Sequence, residues 1–359
     1  MTKLSILATL APLLFFLVSL SPARAGDDPE IGGTPLSKIV TQLKSDNRGL
    51  QLRAAKALNE APVEVRERVI PSVVPLLKSE RENDRFVAAQ VLGEYGPKAR
   101  VAVSELLPLL EGTQFERNRA AAAKALGLIL KDAAASDEVE KVTQALMKCF
   151  TDKYSDVRRE AVTACGMIGP AAKSCIPLLS DRFNDTEWLK DAECYLVRRA
   201  AAWTTGRMGK LGAVHVDKLI SMMHGNAPVD TEFVDAIGEI GPVQDNLVPN
   251  IVDKMEKTLY GGYQGATGPQ MANYVKHCQD VLAKFGGKSE KSVDLQLRLL
   301  TAEQVEREPA RAVQTLNALA AIGPAAAKAV ATIESNCLKS KNADVVKAAE
   351  AALAKIKAK

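Results

Sequence analysis

The chain has 359 residues, of which 47% are hydrophobic and 25% charged, with a formal net charge of +4. That composition supports a large buried core and excludes wholesale disorder, a collagen-like polymer and a polytopic membrane protein. Aromatic residues make up only 4%, which suits close-packed helices with small residues at their contacts better than a β-sandwich.

In chain order, the first element is a leader. Lys3 provides a positive start, Leu4 to Leu20 is an uncharged apolar run interrupted by Pro12, and Ala23-Arg24-Ala25 has small residues at the cleavage positions. This order predicts a signal peptide over residues 1–25, cut after Ala25. The apolar run is also close to spanning length, so a retained signal anchor is the alternative. Cleavage would leave 45 Lys and Arg against 43 Asp and Glu, so the mature chain carries no surplus charge for a phosphate backbone. The expectation is a protein exported across the inner membrane, periplasmic or extracellular, without a nucleic-acid partner. No second apolar run predicts a membrane span after cleavage. Residues 26–35 read as a short flexible segment, and residues 36–359 as one domain.

Self-similarity dominates that domain. Gly96-Pro97, Gly169-Pro170, Gly241-Pro242 and Gly323-Pro324 each follow an alanine-rich apolar pattern. Three residues before these glycines stand Gly93, Gly166, Gly238 and Ala320, and Asn59, Gly127, Gly206 and Ala283 complete a series of eight. The steps along it are 34, 34, 39, 40, 32, 45 and 37 residues, the period of helical-hairpin repeats. Val157, Ala161, Ala164, Cys165 and Ile168 fall on one helical face. The Gly-Pro pair then ends one helix and starts the next. Beyond the turn, Val103, Ile176, Val216, Val248 and Val330 form one apolar column, and Leu106, Leu179, Leu219, Ile251 and Ile333 another. One hairpin cannot bury such a face alone, but a stack can.

Eight residues before the reference position stand Arg85, Arg119, Arg158 and Arg198. The unit from Asp156-Val157-Arg158 through Gly166 to Gly169-Pro170-Ala171-Ala172 resembles the HEAT repeat, in the bacterial form named after phycobilisome lyases. The resemblance covers residues 36–359 and implies an all-α, right-handed α-solenoid of about eight hairpins. The unit at Ala283 departs from it, lacking the Arg and the Gly-Pro turn, and Ala312 replaces the Arg in the unit at Ala320. The Arg series reads as a structural ladder, each guanidinium bridging to carbonyls or a carboxylate of the next repeat.

Motifs for chemistry are absent. His215, His224 and His277 are the only histidines, and none precedes a Glu, so the His-Glu iron pairs of HEAT-like deoxyhypusine hydroxylases are missing. Neither zinc spacings, a haem attachment motif, a P-loop nor a nucleophile elbow occurs. No cofactor is expected. His215 falls in a packing column. Cys165 and Cys175 flank one turn and are either disulfide-bonded or two buried thiols; Cys149, Cys194, Cys278 and Cys337 have no assigned partner. The stretch from Asp185 to Tyr195 lengthens one unit, and Tyr260 to Pro269, with Tyr260, Tyr263 and Gln264, forms a glycine-tyrosine loop that is a candidate binding loop.

The leading functional expectation is a non-enzymatic scaffold for a protein or peptide partner; the alternative is an enzyme or small-ligand-handling protein of the lyase-like kind. The resemblance implies that the helix after each turn lines the concave side. Its core-averted positions would then be the docking face: Glu105, Asp181, Lys218, Ser221, Asn250, Asp253 and Thr332.

Overall fold

The computed structural model describes residues 28–185, 194–223, 231–260 and 268–358. The expected signal peptide, Trp188, His224, Tyr263 and Gln264 lie outside the described residues. The rest is an all-α solenoid of two helical rows.

The first row consists of the helices that precede each turn. They are α2 (Arg48–Asn59), α4 (Glu82–Glu94), α6 (Glu116–Ile129), α8 (Ser155–Ile168), α10 (Cys194–Arg207), α12 (Thr231–Ile240), α14 (Gly268–Phe285) and α17 (Pro309–Ile322), closed by α19 (Ala343–Ile356). The second row comprises α1 (Leu36–Leu43), α3 (Val63–Val73), α5 (Val103–Leu106), α7 (Asp137–Lys148), α9 (Ile176–Arg182), α11 (Val216–Met222), α13 (Leu247–Tyr260), α15 (Val293–Arg298) and α18 (Val330–Thr332). A short helix, α16 (Ala302–Arg307), leads into α17. Eight hairpins thus lie between two terminal helices, and the apolar columns of the sequence, including Val103, Leu106, Val216 and Leu219, are buried between the rows except for the half-buried Val330.

Six of the eight turns follow one backbone rule, and in the turn after α6 Asp132 takes the positive φ instead. Gly96, Gly169, Gly209, Gly241, Gly286 and Gly323 all have positive φ, between 54° and 91°. At Gly169, φ 77° and ψ −148° end α8, a conformation that a side chain would strain. Gly286 does the same in the unit at Ala283, so that unit keeps its turn glycine although it lacks the proline.

Three further findings bear on the sequence reading. Residues 28–35 are not a loose tail: Glu30–Ile31 pairs antiparallel with Thr34–Pro35, and Ile31 is buried. Gly32 and Gly33 both take positive φ, which a two-residue hairpin turn requires. This hairpin is the one strand pairing among the described residues. Second, Ser155–Arg182 and Pro309–Cys337 are apolar enough over 18 residues to cross a membrane by length and composition, which the sequence reading did not foresee. Each is bent at its turn glycine, Gly169 or Gly323, and its apolar side chains fill the space between the rows. Third, Cys165 and Cys175 are free thiols, both fully buried. A hydrogen bond to Cys175 and burial push the Cys165 thiol well above its ordinary pKa.

Candidate docking surface

The two rows are spaced differently, and glycine is the cause. A Cβ built on Gly127 in α6 would lie 2.6 Å from the Ala164 Cα of α8. The corresponding distance from Gly93 to the Ala125 Cα is 2.9 Å, and from Gly206 to the Ala236 Cα 2.8 Å. At Gly166 the neighbour is the Trp203 ring, with Cζ3 at 2.5 Å. Only glycine lets these backbones come so close. In every case the neighbour stands two or three residues before the next reference position.

The second row is splayed. Between the α5 region and α7 lies a groove of about 760 Å³, lined by Leu107, Pro108, Lys141, Gln144 and Lys148. A stack of two rows with unequal spacing must curve, with the tighter row on the inside. The resemblance had put the concave side on the helices after the turn; the packing reverses this and puts it on the glycine row. A dish of about 470 Å³ runs across three members of that row, α4, α6 and α8. Ala89, Gly93, Ala121 and Ala125 are among the residues that line it, together with Glu94, Arg117, Lys124 and Arg159.

The charged groups of the inner face are tied between repeats. Arg117 pairs with Glu82, and Lys124 with Glu94 at 3.8 Å. Further along, Arg199 pairs with Glu232, His277 Nδ1 lies 2.7 Å from Asp235, and Lys284 lies 2.6 Å from Glu239. Such exposed pairs contribute little stability each, about 0–1 kcal/mol. Their alternation leaves the face with both signs of charge.

Two aromatic rings interrupt it. Phe86 lines the dish beneath the Arg117 guanidinium, 5.6 Å from the ring centroid. Trp203 in α10 is 39% exposed, between Arg199 and Arg207 of the same helix; Arg207 bridges to Asp132 at 2.5 Å. A large ring left partly in water on an inner surface is unusual for a residue type that otherwise seeks burial. The sequence reading passed over Trp203. Its signal was the register: it stands three residues before Gly206, in the column of Gln90 and Lys124, both exposed.

The residues first expected to dock a partner lie on the outer row. None is buried, but their polar bonds are mostly local. Glu105 pairs with Lys78 at 2.8 Å, Ser221 Oγ donates to Lys218 O, Asn250 donates to Asn246 O, and Asp253 pairs with Lys257 at 2.9 Å. Asp181 is exposed and Thr332 half-buried. They do not converge on one concavity. Tyr260, at the end of α13, is 57% exposed and lies 5.9 Å from the Arg298 guanidinium.

The Arg series sits at the junctions between repeats. Arg119 makes a two-pronged contact with Asp152 of the next repeat, which raises its pKa. Arg158, 1% exposed, does the same to Asp185. Asp156 is not its partner; that carboxylate pairs with Arg159 at 2.8 Å. Arg85 reaches only backbone carbonyls, and Arg198 has a buried Nε without a hydrogen-bond partner among the described residues. His215 packs edge-on against Phe183 and bonds the Ile176 carbonyl at 2.7 Å. Among the described residues no three His, Cys, Asp or Glu side chains gather to hold a metal ion.

Residues 36–127 and 103–190 match the family model of HEAT repeats. The remaining units continue the same stack in the structure. In fold the stack is similar to Kap95 in the Kap95:Nup1 complex, at 15% identity and a TM-score of 0.64, over 89% of this chain and 46% of that one. It is likewise similar to Kap121p bound to Nup53p, at 13% identity and a TM-score of 0.63, over 90% and 39%. The chain spans less than half the length of these solenoids. No curated protein matches it in sequence.

Proposed function

We propose that the protein is an exported, non-enzymatic scaffold whose glycine-row face binds a protein or peptide partner. The observation that carries this reading is the partly exposed Trp203 on the inner surface of the stack. Partly exposed tryptophans flanked by arginines are the residue types that dominate binding energy at interfaces. The alternating charges around it suit a mixed, wet protein surface rather than a uniform anion or cation. Export rests on the leader pattern of residues 1–25. The Kap95 and Kap121p structures named above hold protein partners, which fits a binding role for a stack of this fold.

The test is affinity capture from the exported fraction with immobilised mature protein, run beside a Trp203→Ala, Arg159→Glu variant of unchanged helicity. A defined protein captured by the wild type and lost by the variant supports the reading. Equal capture by both removes the inner face from it. N-terminal sequencing of native protein should begin at Gly26; an intact Met1 on membrane-bound protein would establish the anchor instead.

A further inference from the structure

The turn between α8 and α9 brings two cysteines together. Cys165 stands four residues before the turn glycine Gly169, and Cys175 six beyond it. The same two places hold Leu92 and Ala102 around Gly96, Ile237 and Leu247 around Gly241, and Leu319 and Ala329 around Gly323. All of these side chains are buried. They are the places where the helix before a turn meets the segment after it, and in the α8–α9 unit both are cysteine. The two thiols are in hydrogen-bond contact, so their side chains already point at each other, as bridging requires. Cys149, also buried, is turned elsewhere: its Sγ lies 3.6 Å from Leu110 O and 3.8 Å from Ala145 O. Cys278, on α14, and Cys337, beyond α18, belong to later units.

Burial also sets an order of events. Disulfide exchange needs a thiolate that an outside disulfide can reach. In the folded stack Cys165 and Cys175 are each 0% exposed, and their contact and burial hold the Cys165 thiol in its protonated form. Such a buried pair is inert toward an outside reagent. In the unfolded chain both sulfurs are open, with only nine residues between them.

We propose that Cys165 and Cys175 join as a disulfide while the chain folds in an oxidising compartment, and that closure of α8 on α9 then seals the bond. The thiolate of one cysteine attacks a donor disulfide and releases one donor thiol. The thiolate of the other attacks the mixed disulfide and releases the second. Two electrons and two protons thereby pass from the cysteines to the donor, which leaves as two thiols. The bond staples the hairpin that carries a buried ion pair: Arg158 stands on α8, and Asp185 lies three residues beyond the end of α9. By restricting the unfolded chain, it favours the closed hairpin. The setting in the cell rests on the export reading; the chemistry does not, and neither depends on which face docks a partner.

The test refolds the purified protein from denaturant, once with reductant and once with glutathione and glutathione disulfide. Free thiols are then blocked with maleimide in denaturant, and a tryptic digest, which cuts between the two cysteines after Lys173, is read by mass spectrometry. The glutathione sample should yield the Cys165 and Cys175 peptides joined, with Cys149, Cys278 and Cys337 blocked. Reduced protein that is folded first and then given the same buffer should keep both thiols free. The joined form should have an unfolding equilibrium constant at least about tenfold smaller than the reduced form, and Cys175→Ala should abolish that difference. Native protein that begins at Gly26 should carry the link as isolated, a measurement that needs no refolding. An intact Met1 counts against export alone, because the refolding result does not use the leader. Both thiols blocked after refolding with glutathione disulfide would overturn the proposal. So would a link from either cysteine to Cys149, oxidation of folded protein as fast as of the unfolded chain, equal stability of the two forms, or free thiols in native protein that begins at Gly26.

Discussion

The helices from α4 to α10 and those from α12 to α17 stack in the same register with different junction chemistry. In the first region glycines let backbones approach, and the buried polar contacts are charged, Arg119 with Asp152 and Arg158 with Asp185. In the second, Gly238 faces the Val281 side chain, with Cγ2 2.7 Å from a built Cβ. The buried contact at the first-row helix α14 there is neutral: Gln279 Nε2 donates to Gln296 Oε1 at 3.0 Å and Thr315 Oγ1 at 2.8 Å, although Lys254 of α13, in the second row, is buried with Nζ 3.3 Å from Asp253. Gln279 Oε1 and Gln296 Nε2 have no hydrogen-bond partner among the described residues, and the hydrophobic core divides into two clusters at α15. The difference teaches that helix approach holds the register, while the signature Arg and Pro are replaceable.

The largest effect that could break this comparison lies at Arg158. Arg158→Ala leaves Asp185 buried without its cation and should cost about 3–5 kcal/mol in denaturant unfolding. Replacing Arg158 and Asp185 together with leucine should recover most of that, because two apolar groups satisfy each other.

Glycine substitutions sharpen it next. Gly127→Ala drives a methyl into the Ala164 backbone, which cannot move aside, and should cost about 2 kcal/mol. Gly238→Ala meets the end of a valine side chain, which can turn. Alanine's helix propensity, worth about 1 kcal/mol over glycine, should leave that change near neutral. Equal losses at both sites would mean that the two regions pack alike.

A smaller effect is expected where the buried amides are replaced. Gln279→Met with Gln296→Leu removes two half-satisfied groups and should alter stability by about 1 kcal/mol or less. Thermal unfolding of the double variant checks this.

The thiols give the mildest signal. Burial pushes Cys149 up to about 11 and Cys337 up to about 11. Such a group stays protonated longer in the folded than in the unfolded chain. Its contribution is therefore intact at neutral pH and is lost as pH rises from the ordinary thiol range through about 11. Native protein at pH 7 should leave Cys149 and Cys337 unmodified by maleimide over the time that denatured protein needs for full labelling.

Much of the stack was legible in the residues. The eight reference positions, the turn glycines and the apolar columns are all local periodicities, and periodicity survives without knowledge of the third dimension. The partner of Arg158 was hidden because the lengthened unit puts Asp185 27 residues away, whereas Asp152 is 33 residues from Arg119. The concave side was misread because core-averted positions of both rows are polar; only the distance between backbones, set by Gly93, Gly127 and Gly206, separates inside from outside. Gly286 escaped notice because the turn needs a positive φ and not the proline that marks the other units.

The central claim is that the glycine row, with Trp203, is the face that holds a partner. Its most direct test is the affinity of the captured partner for two folded variants measured side by side. Trp203→Ala should weaken binding at least about tenfold, as an interface anchor does. The outer-row reversal of Glu105, Asp181 and Asp253 to lysine should leave binding within about threefold, as exposed charges do. Loss of binding by the outer-row variant with full affinity in Trp203→Ala would contradict the account.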